Sequence, residues 1–150
     1  MVEVKEHIRL QLTRTDEMVF KIHPDNGNYD IIIDKMHHES EERLGGTPSR
    51  LLASALLGCL TSSLINCVRK RDIDIDDIES IAEFDMIKDD RGFVRIKQIN
   101  VSISTKSDSP AVNKRINICK KFFEEQCTVT AALREGIKVN VSYDHDENRI

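Results

Sequence analysis

The sequence predicts an α+β fold, and three observations carry that prediction. An uncharged run over residues 51–68 has a helix-start signal before it and basic residues after it. Stretches of period-two alternation lie on both sides of that run. A second cap-plus-proline signature opens another helix nearer the C-terminal end. The resulting order is strands, helix, hairpin, helix, strand, in which helices and antiparallel strands segregate. At 150 residues the chain reads as one domain, 1–150, long enough to bury a core.

The elements follow in order. Val2, Val4, Ile8, Leu10 and Leu12 alternate with charged residues, and residues 18–23 alternate again before the turn signal Pro24-Asp25-Asn26-Gly27-Asn28. Residues 29–34 read as a returning strand, which completes an antiparallel meander. Residues 36–44 hold His37, His38, Glu39, Glu41 and Glu42 without a period, and read as a polar loop leading to Gly45-Gly46. Adjacent histidines on an extended chain point to opposite faces, and no Glu-x-x-His or His-x-x-x-His spacing is present, so no metal site is expected.

Thr47 suits an N-cap, Pro48 suits the first helical position, and Arg69, Lys70 and Arg71 suit the negative end of the helix dipole. Between these ends Leu51, Leu52, Ala55, Leu56, Leu57, Leu60, Leu64, Ile65 and Val68 go nearly round the helix, and a helix apolar on all sides must be buried on all sides. Ser54, Gly58, Thr61, Ser62, Ser63 and Asn66 dilute its hydrophobicity, which favours a core helix over a membrane span. With 39% apolar residues, 5% aromatic and no Trp, one small domain has little material to wrap such a helix. A second subunit would supply the missing cover, so a homodimer is expected.

Ile73, Ile75, Ile78 and four Asp residues form a short connection. Ala82, Phe84 and Met86 begin a strand that turns at Lys88-Asp89-Asp90-Arg91-Gly92, and residues 93–105 return, with a change of parity near Lys97 that predicts a bulge. Ser109-Pro110 opens the second helix, on which Val112, Ile116, Cys119, Phe123 and Cys127 form one stripe, so this helix is expected to run through Cys127. Ile137, Val139, Val141 and Tyr143 alternate as a last strand before a solvated tail.

The net charge of −4, with both signs mixed along the chain, implies no basic surface for nucleic acid. The first residues alternate directly, without a charged segment followed by an apolar one, so a cytoplasmic location is expected. Four cysteines there are free, catalytic or metal-bound sooner than a structural disulfide framework.

The cysteines stand at 59, 67, 119 and 127, without Cys-x-x-Cys spacing. Eight helical residues advance the axis by about 12 Å, whereas a disulfide needs Cα atoms within roughly 7 Å, so any pairing crosses between helices. On two antiparallel helices Cys59 lies level with Cys127 when Cys67 lies level with Cys119. Eight residues over-rotate two turns by about 80° in the same hand on both helices, which would swing Cys67 and Cys119 to opposite sides of the contact. Geometry then favours one reactive pair, Cys59 with Cys127. Spacing alone also accommodates four small buried hydrophobes.

Residues 46–59, Gly-Thr-Pro-Ser-Arg-Leu-Leu-Ala-Ser-Ala-Leu-Leu-Gly-Cys, resemble the Pro-x-x-Leu-Leu helix that carries a cysteine in the OsmC/Ohr family, the osmotically inducible and organic hydroperoxide resistance proteins. Residues 127–137, Cys-Thr-Val-Thr-Ala-Ala-Leu-Arg-Glu-Gly-Ile, resemble that family's second motif, a Cys-Pro-x-Ser run before a short loop and the last strand. The resemblance implies antiparallel sheets around two central cysteine-bearing helices and an intertwined homodimer. It further implies a thiol peroxidase acting on organic hydroperoxides or hydrogen peroxide, with Cys59 peroxidatic, Cys127 resolving, no cofactor and an external dithiol as reductant. A thiolate attacks the O–O bond, becomes a sulfenic acid and condenses with the second thiol. Burial raises a thiol's pKa, so this chemistry calls for a positive charge or hydrogen bonds at Cys59.

The chain departs from the family pattern in specific places. Ser49 stands where better-characterised members have a glutamate, and Thr128 stands where they have a proline. No N-terminal arginine sits in a recognisable motif, with Arg14 and Arg43 as candidates. Arg50 lies about 180° round the helix from Cys59 and cannot serve that thiol from its own subunit. These departures point to the OsmC-like branch. They also favour an alternative function, a non-catalytic dimer that binds an apolar small molecule between its central helices.

Overall fold

The computed structural model describes residues 6–35, 44–75 and 77–144. The chain divides into one unit of Met1–Ala55 with Ala82–Asn100 and another of Leu56–Ile81 with Val101–Ile150. The fold is α+β, with two antiparallel sheets and three α-helices among the described residues.

In the first unit β1 (Leu10–Asp16), β2 (Val19–Pro24) and β3 (Ile31–Asp34) form an antiparallel sheet in the order β1-β2-β3, the predicted meander. Leu12 faces Ile22, and Lys21 faces Ile32. Of the expected first strand Val2 and Val4 lie outside the described residues; β1 begins after Ile8 and continues to Asp16, where a bulge between Arg14 and Asp16 leads into a tight turn. The Asp16 carboxylate accepts the Glu17 N–H at 2.7 Å in that turn. All seven residues of β1 are exposed, so neither face of this strand packs on a core.

A glycine pair carries the chain from β3 to the first helix. A Cβ on Gly45 would land on the Ile32 carbonyl, Gly46 bridges Ile33, and the Asp34 N–H donates to the Gly46 carbonyl at 3.2 Å. The Asp34 side chain, fully buried, accepts the Leu44 N–H at 3.0 Å. Only a residue without a side chain permits so close a backbone approach.

Helix α1 (Pro48–Arg69) begins at its proline, and the Leu51 N–H closes the first turn onto the Thr47 carbonyl at 3.0 Å. It ends where Asp72 takes the left-handed conformation at φ 55° and Arg69 grips the Asp74 carboxylate through two hydrogen bonds of 3.0 and 2.8 Å. Both ends match the sequence signals. The burial does not: Ala53, Leu56, Leu60, Ser63, Leu64, Cys67 and Val68 are buried, while Leu52, Ala55, Gly58, Ser62 and Asn66 form an exposed stripe at helical spacing. A chain poor in aromatic residues covers this helix on one side only.

β4 (Asp77–Lys88) and β5 (Val94–Lys106) make the hairpin, which starts five residues earlier than its apolar alternation indicates. The Asp89 carboxylate accepts the Arg91 and Phe93 amides at 3.0 and 2.9 Å, and Gly92 turns the chain at φ 82°. On β5 the less exposed residues are Ile96 and then Ile99, Val101, Ile103 and Thr105, so the parity changes across Lys97 and Gln98 as expected.

The second unit holds a core of Leu64, Cys67, Val68, Ile75, Ile116 and Cys119, lined by Ile73, Ile78, Ile103, Val112, Phe122 and Phe123. Helix α2 (Pro110–Cys119) is capped by Ser109, whose hydroxyl accepts the Val112 N–H at 3.4 Å. The expected single helix through Cys127 is not formed. α2 stops at Cys119, a 3₁₀ turn occupies Phe123–Gln126, and a separate helix α3 spans Thr128–Glu135. Phe122 and Phe123 both pack on the core, and consecutive residues of an α-helix point about 100° apart, so burying both requires the chain to leave the helix. Gly136, at φ 73°, ends α3.

The expected last strand over residues 137–143 is likewise absent from the structure. Ile137, Val139, Val141 and Tyr143 alternate in sequence but are between 69% and 87% exposed, and this segment joins neither sheet. Alternation marks a face, whereas a strand also needs a neighbouring edge to pair with.

Candidate active site

Cys59 sits in the middle of α1, half-buried, and Cys127 is the N-cap of α3, fully buried. Neither is in a disulfide, and the two thiols are close enough to shift one another's pKa. The two positions singled out from the sequence are therefore brought together, and the reason is local. Cys127 has the extended backbone of a cap residue, and its sulfur accepts the Thr130 N–H at 3.4 Å in the place a serine oxygen usually takes.

The start of α3 thus supplies the positive end of a helix to both sulfurs. Burial and the hydrogen bond to Cys127 push the Cys59 thiol above the ordinary value, with the Val129 and Thr128 amides pulling the other way. Burial also pushes Cys127 up, but the neighbouring Cys59 thiol, the Thr130 side chain and the Thr130 and Val129 amides outweigh it and hold Cys127 below the ordinary value. The opposite shifts make Cys127 the sulfur that ionises more readily of the two. Thr128 contributes here because it has an N–H, which proline at that position would lack.

The remaining sequence candidates lie elsewhere. Arg14 donates from Nε to the Asp16 carbonyl at 3.1 Å on the exposed end of β1. Arg43 and the histidine- and glutamate-rich stretch 37–42 lie outside the described residues. The Ser49 hydroxyl lies 3.3 Å from that of Thr47 in the first turn of α1. Among the described residues no three His, Cys, Asp or Glu side chains group as a metal set.

The second cysteine pair overturns an expectation. Cys67 and Cys119 do not swing apart; they are joined in a disulfide with Cα atoms 5.9 Å apart. The rotational argument assumed that Cys119 and Cys127 share one helix, and the break after Cys119 removes that premise. Two further residues at the thiols escaped the sequence reading. Thr130 stands three residues after a cap position, a spacing that signals it in retrospect. Arg115, whose Nη2 donates to the Cys67 carbonyl at 2.8 Å, carries no local signal.

No curated protein matches the sequence. Solved structures do: an OsmC like protein from Mycoplasma pneumoniae superposes with a TM-score of 0.67 at 14% identity, covering 89% of this chain and 91% of its own. The organic hydroperoxide resistance protein OhrB of Bacillus subtilis gives 0.59 at 20% identity, with 89% and 94% covered. An organic hydroperoxide resistance protein OsmC from Legionella pneumophila gives 0.65 at 12%, with 88% and 92% covered. At these identities the likeness is one of fold. The model of the OsmC-like protein family, however, matches residues 38–142, a span that contains all four cysteines, and the chain belongs to that family.

Proposed function

We propose that the protein is a thiol peroxidase that reduces organic hydroperoxides or hydrogen peroxide through Cys59 and Cys127, as an oxidative-stress defence. The observation that carries this reading is the neighbouring pair of free thiols at the start of α3, with the Cys127 pKa lowered by its surroundings. The names of the Bacillus and Legionella proteins, organic hydroperoxide resistance proteins, support the substrate class.

The roles follow from access and charge. Cys59 is the more exposed sulfur and meets the peroxide, while the Cys127 thiolate takes its proton as it attacks. The Cys59 sulfur bonds to one peroxide oxygen, the O–O bond breaks, and the leaving alkoxide collects that proton from Cys127 to depart as alcohol. The Cys127 thiolate then attacks the Cys59 sulfenic acid, the S–S bond forms, the S–O bond breaks, and the departing hydroxide takes a proton from solvent to become water. Both electrons come from sulfur, so no cofactor takes part, and an external dithiol resets the pair by exchange.

The working unit in this proposal is a cytoplasmic homodimer. The exposed stripe of Leu52, Ala55, Gly58, Ser62 and Asn66 on α1, the bare faces of β1 and the unpaired alternation of residues 137–143 all support a second copy as cover. Helix α1 is long and apolar enough to cross a membrane by length and composition, and its buried stripe supports a place inside a soluble fold instead.

The test is peroxide consumption with cumene hydroperoxide and hydrogen peroxide by wild type, Cys59→Ser and Cys127→Ser, with mass spectrometry of the oxidised protein. Turnover that falls to the buffer background in Cys59→Ser, with a disulfide between Cys59 and Cys127 in wild type, is the expected result. Slow consumption indifferent to both substitutions would sink it. Ser49 in place of a glutamate favours a second reading, an apolar-ligand dimer, which that second outcome would install.

A further inference from the structure

Beyond the paired thiols at α3, the second unit buries another pair of sulfurs with a charged neighbour. Cys67 near the end of α1 and Cys119 at the end of α2 are both fully buried within the core of Leu64, Val68, Ile75 and Ile116. The Arg115 guanidinium lies against Cys67, with Nη2 2.8 Å from its carbonyl oxygen and 3.9 Å from its sulfur. Arg115 Nε is buried and has no hydrogen-bond partner. A fixed positive charge beside a buried sulfur favours its thiolate, the form that reacts. Cys67 is also about 12 Å along α1 from Cys59, too far for direct exchange between the two pairs.

We propose that Cys67 and Cys119 form a second, independent thiol–disulfide couple, closed by hydrogen peroxide and reopened by an external dithiol, that clamps α2 to the end of α1. Hydrogen peroxide, the smallest peroxide, is the oxidant, and because both sulfurs are buried the dithiol reaches them as the end of α2 opens locally. The Cys67 thiolate attacks one peroxide oxygen, the O–O bond breaks, and the leaving hydroxide takes up a proton to become water. Cys119 sulfur then attacks the Cys67 sulfenic acid, the S–S bond forms, the S–O bond breaks, and the Cys119 proton leaves with that hydroxide as a second water. Two thiols give up two electrons, and a dithiol returns them through a mixed disulfide. The closed clamp bridges residues 52 apart in sequence, and it fixes the segment that runs from Cys119 into Cys127.

This inference does not rest on the peroxidase reading, and its test removes that site. The Cys59→Ser/Cys127→Ser protein is reduced, exposed to hydrogen peroxide, and alkylated under denaturing conditions. Intact mass should show no alkylation, and a digest should show residues 51–69 joined to residues 116–120. Dithiothreitol applied to the folded protein should restore two alkylations and lower the melting midpoint by several degrees, a shift that Cys67→Ala abolishes. Two alkylations after peroxide would overturn the proposal, as would a bond that dithiothreitol opens only after denaturation. Should the double variant not fold, the same digest of Cys59→Ser decides, because Cys67 is then the one cysteine of residues 51–69 and Cys119 and Cys127 fall in different tryptic peptides.

Discussion

Cys59 and Cys127 are shifted in opposite directions by their surroundings, and Thr130 is among the residues that lower Cys127. Its amide donates to the Cys127 sulfur at 3.4 Å, and its hydroxyl, buried there without a hydrogen-bond partner, belongs to the surroundings that hold the Cys127 pKa below the ordinary value. The sign follows directly. A thiol pKa depressed by folding contributes stability that is present above the unfolded value and is lost as pH falls through the folded one. Reactivity has the same direction, because the thiolate is the nucleophile and the base. Thr130→Val removes the hydroxyl and keeps the shape, so thiolate absorbance at 240 nm should titrate at higher pH than in wild type, and Thr130→Ser should restore the lower value. Identical titrations in wild type and Thr130→Val would show that the hydroxyl does not reach the pair. Gly45 poses a different kind of residue problem. Its missing Cβ makes room for the Ile32 carbonyl, a backbone atom that cannot rotate away. Gly45→Ala should therefore destabilise by roughly 1–3 kcal/mol in denaturant unfolding; a midpoint equal to wild type would mean the loop before α1 moves at no cost.

Among the elements, α1 was legible and α2 was only half so, for a physical reason. The ends of α1 are set by chemistry written at single positions, a cap threonine, a first-turn proline and a basic last turn, and the structure uses them. The run from Val112 to Cys127 satisfies helical spacing throughout, yet two adjacent phenylalanines both find the core, and tertiary packing overrides periodicity. That one break hid the pairing of Cys67 with Cys119, because the level and rotation of two cysteines are predictable only while they share a helix. It also created a helix start at Thr128, whose amides help to lower the Cys127 pKa. The last strand failed differently: residues 137–143 announce a face, but the edge to pair with does not come from this chain's sheets. The packing of α2 has a direct test at Ile116, 3% exposed at the centre of the core. Ile116→Ala should cost about 2–5 kcal/mol by urea unfolding, and a loss below 1 kcal/mol would mean that α2 docks through its disulfide alone.

At the scale of the whole molecule the open question is what covers α1. Along its exposed stripe Ala55, Gly58 and Ser62 are small, and a Cβ built on Gly58 meets nothing within 4 Å. Nothing inside the chain needs glycine there, although glycine costs a helix interior roughly 0.5–1 kcal/mol relative to alanine. A second α1 crossing this stripe would use that absence, since small residues let two helices approach to about 8–10 Å between axes. Gly58→Arg discriminates. In a lone chain the arginine extends into solvent and costs nothing in packing. In a dimer crossing at Gly58 it buries an unpaired charge, which breaking the interface relieves. Wild type should therefore sediment at twice the 17.2 kDa of the chain and Gly58→Arg at 17.2 kDa, with the far-UV circular dichroism of both showing the same helix content. A wild type at 17.2 kDa would remove the dimer from the proposed function, and a Gly58→Arg protein that stays at twice that mass would move the contact off this stripe, toward β1 and residues 137–143.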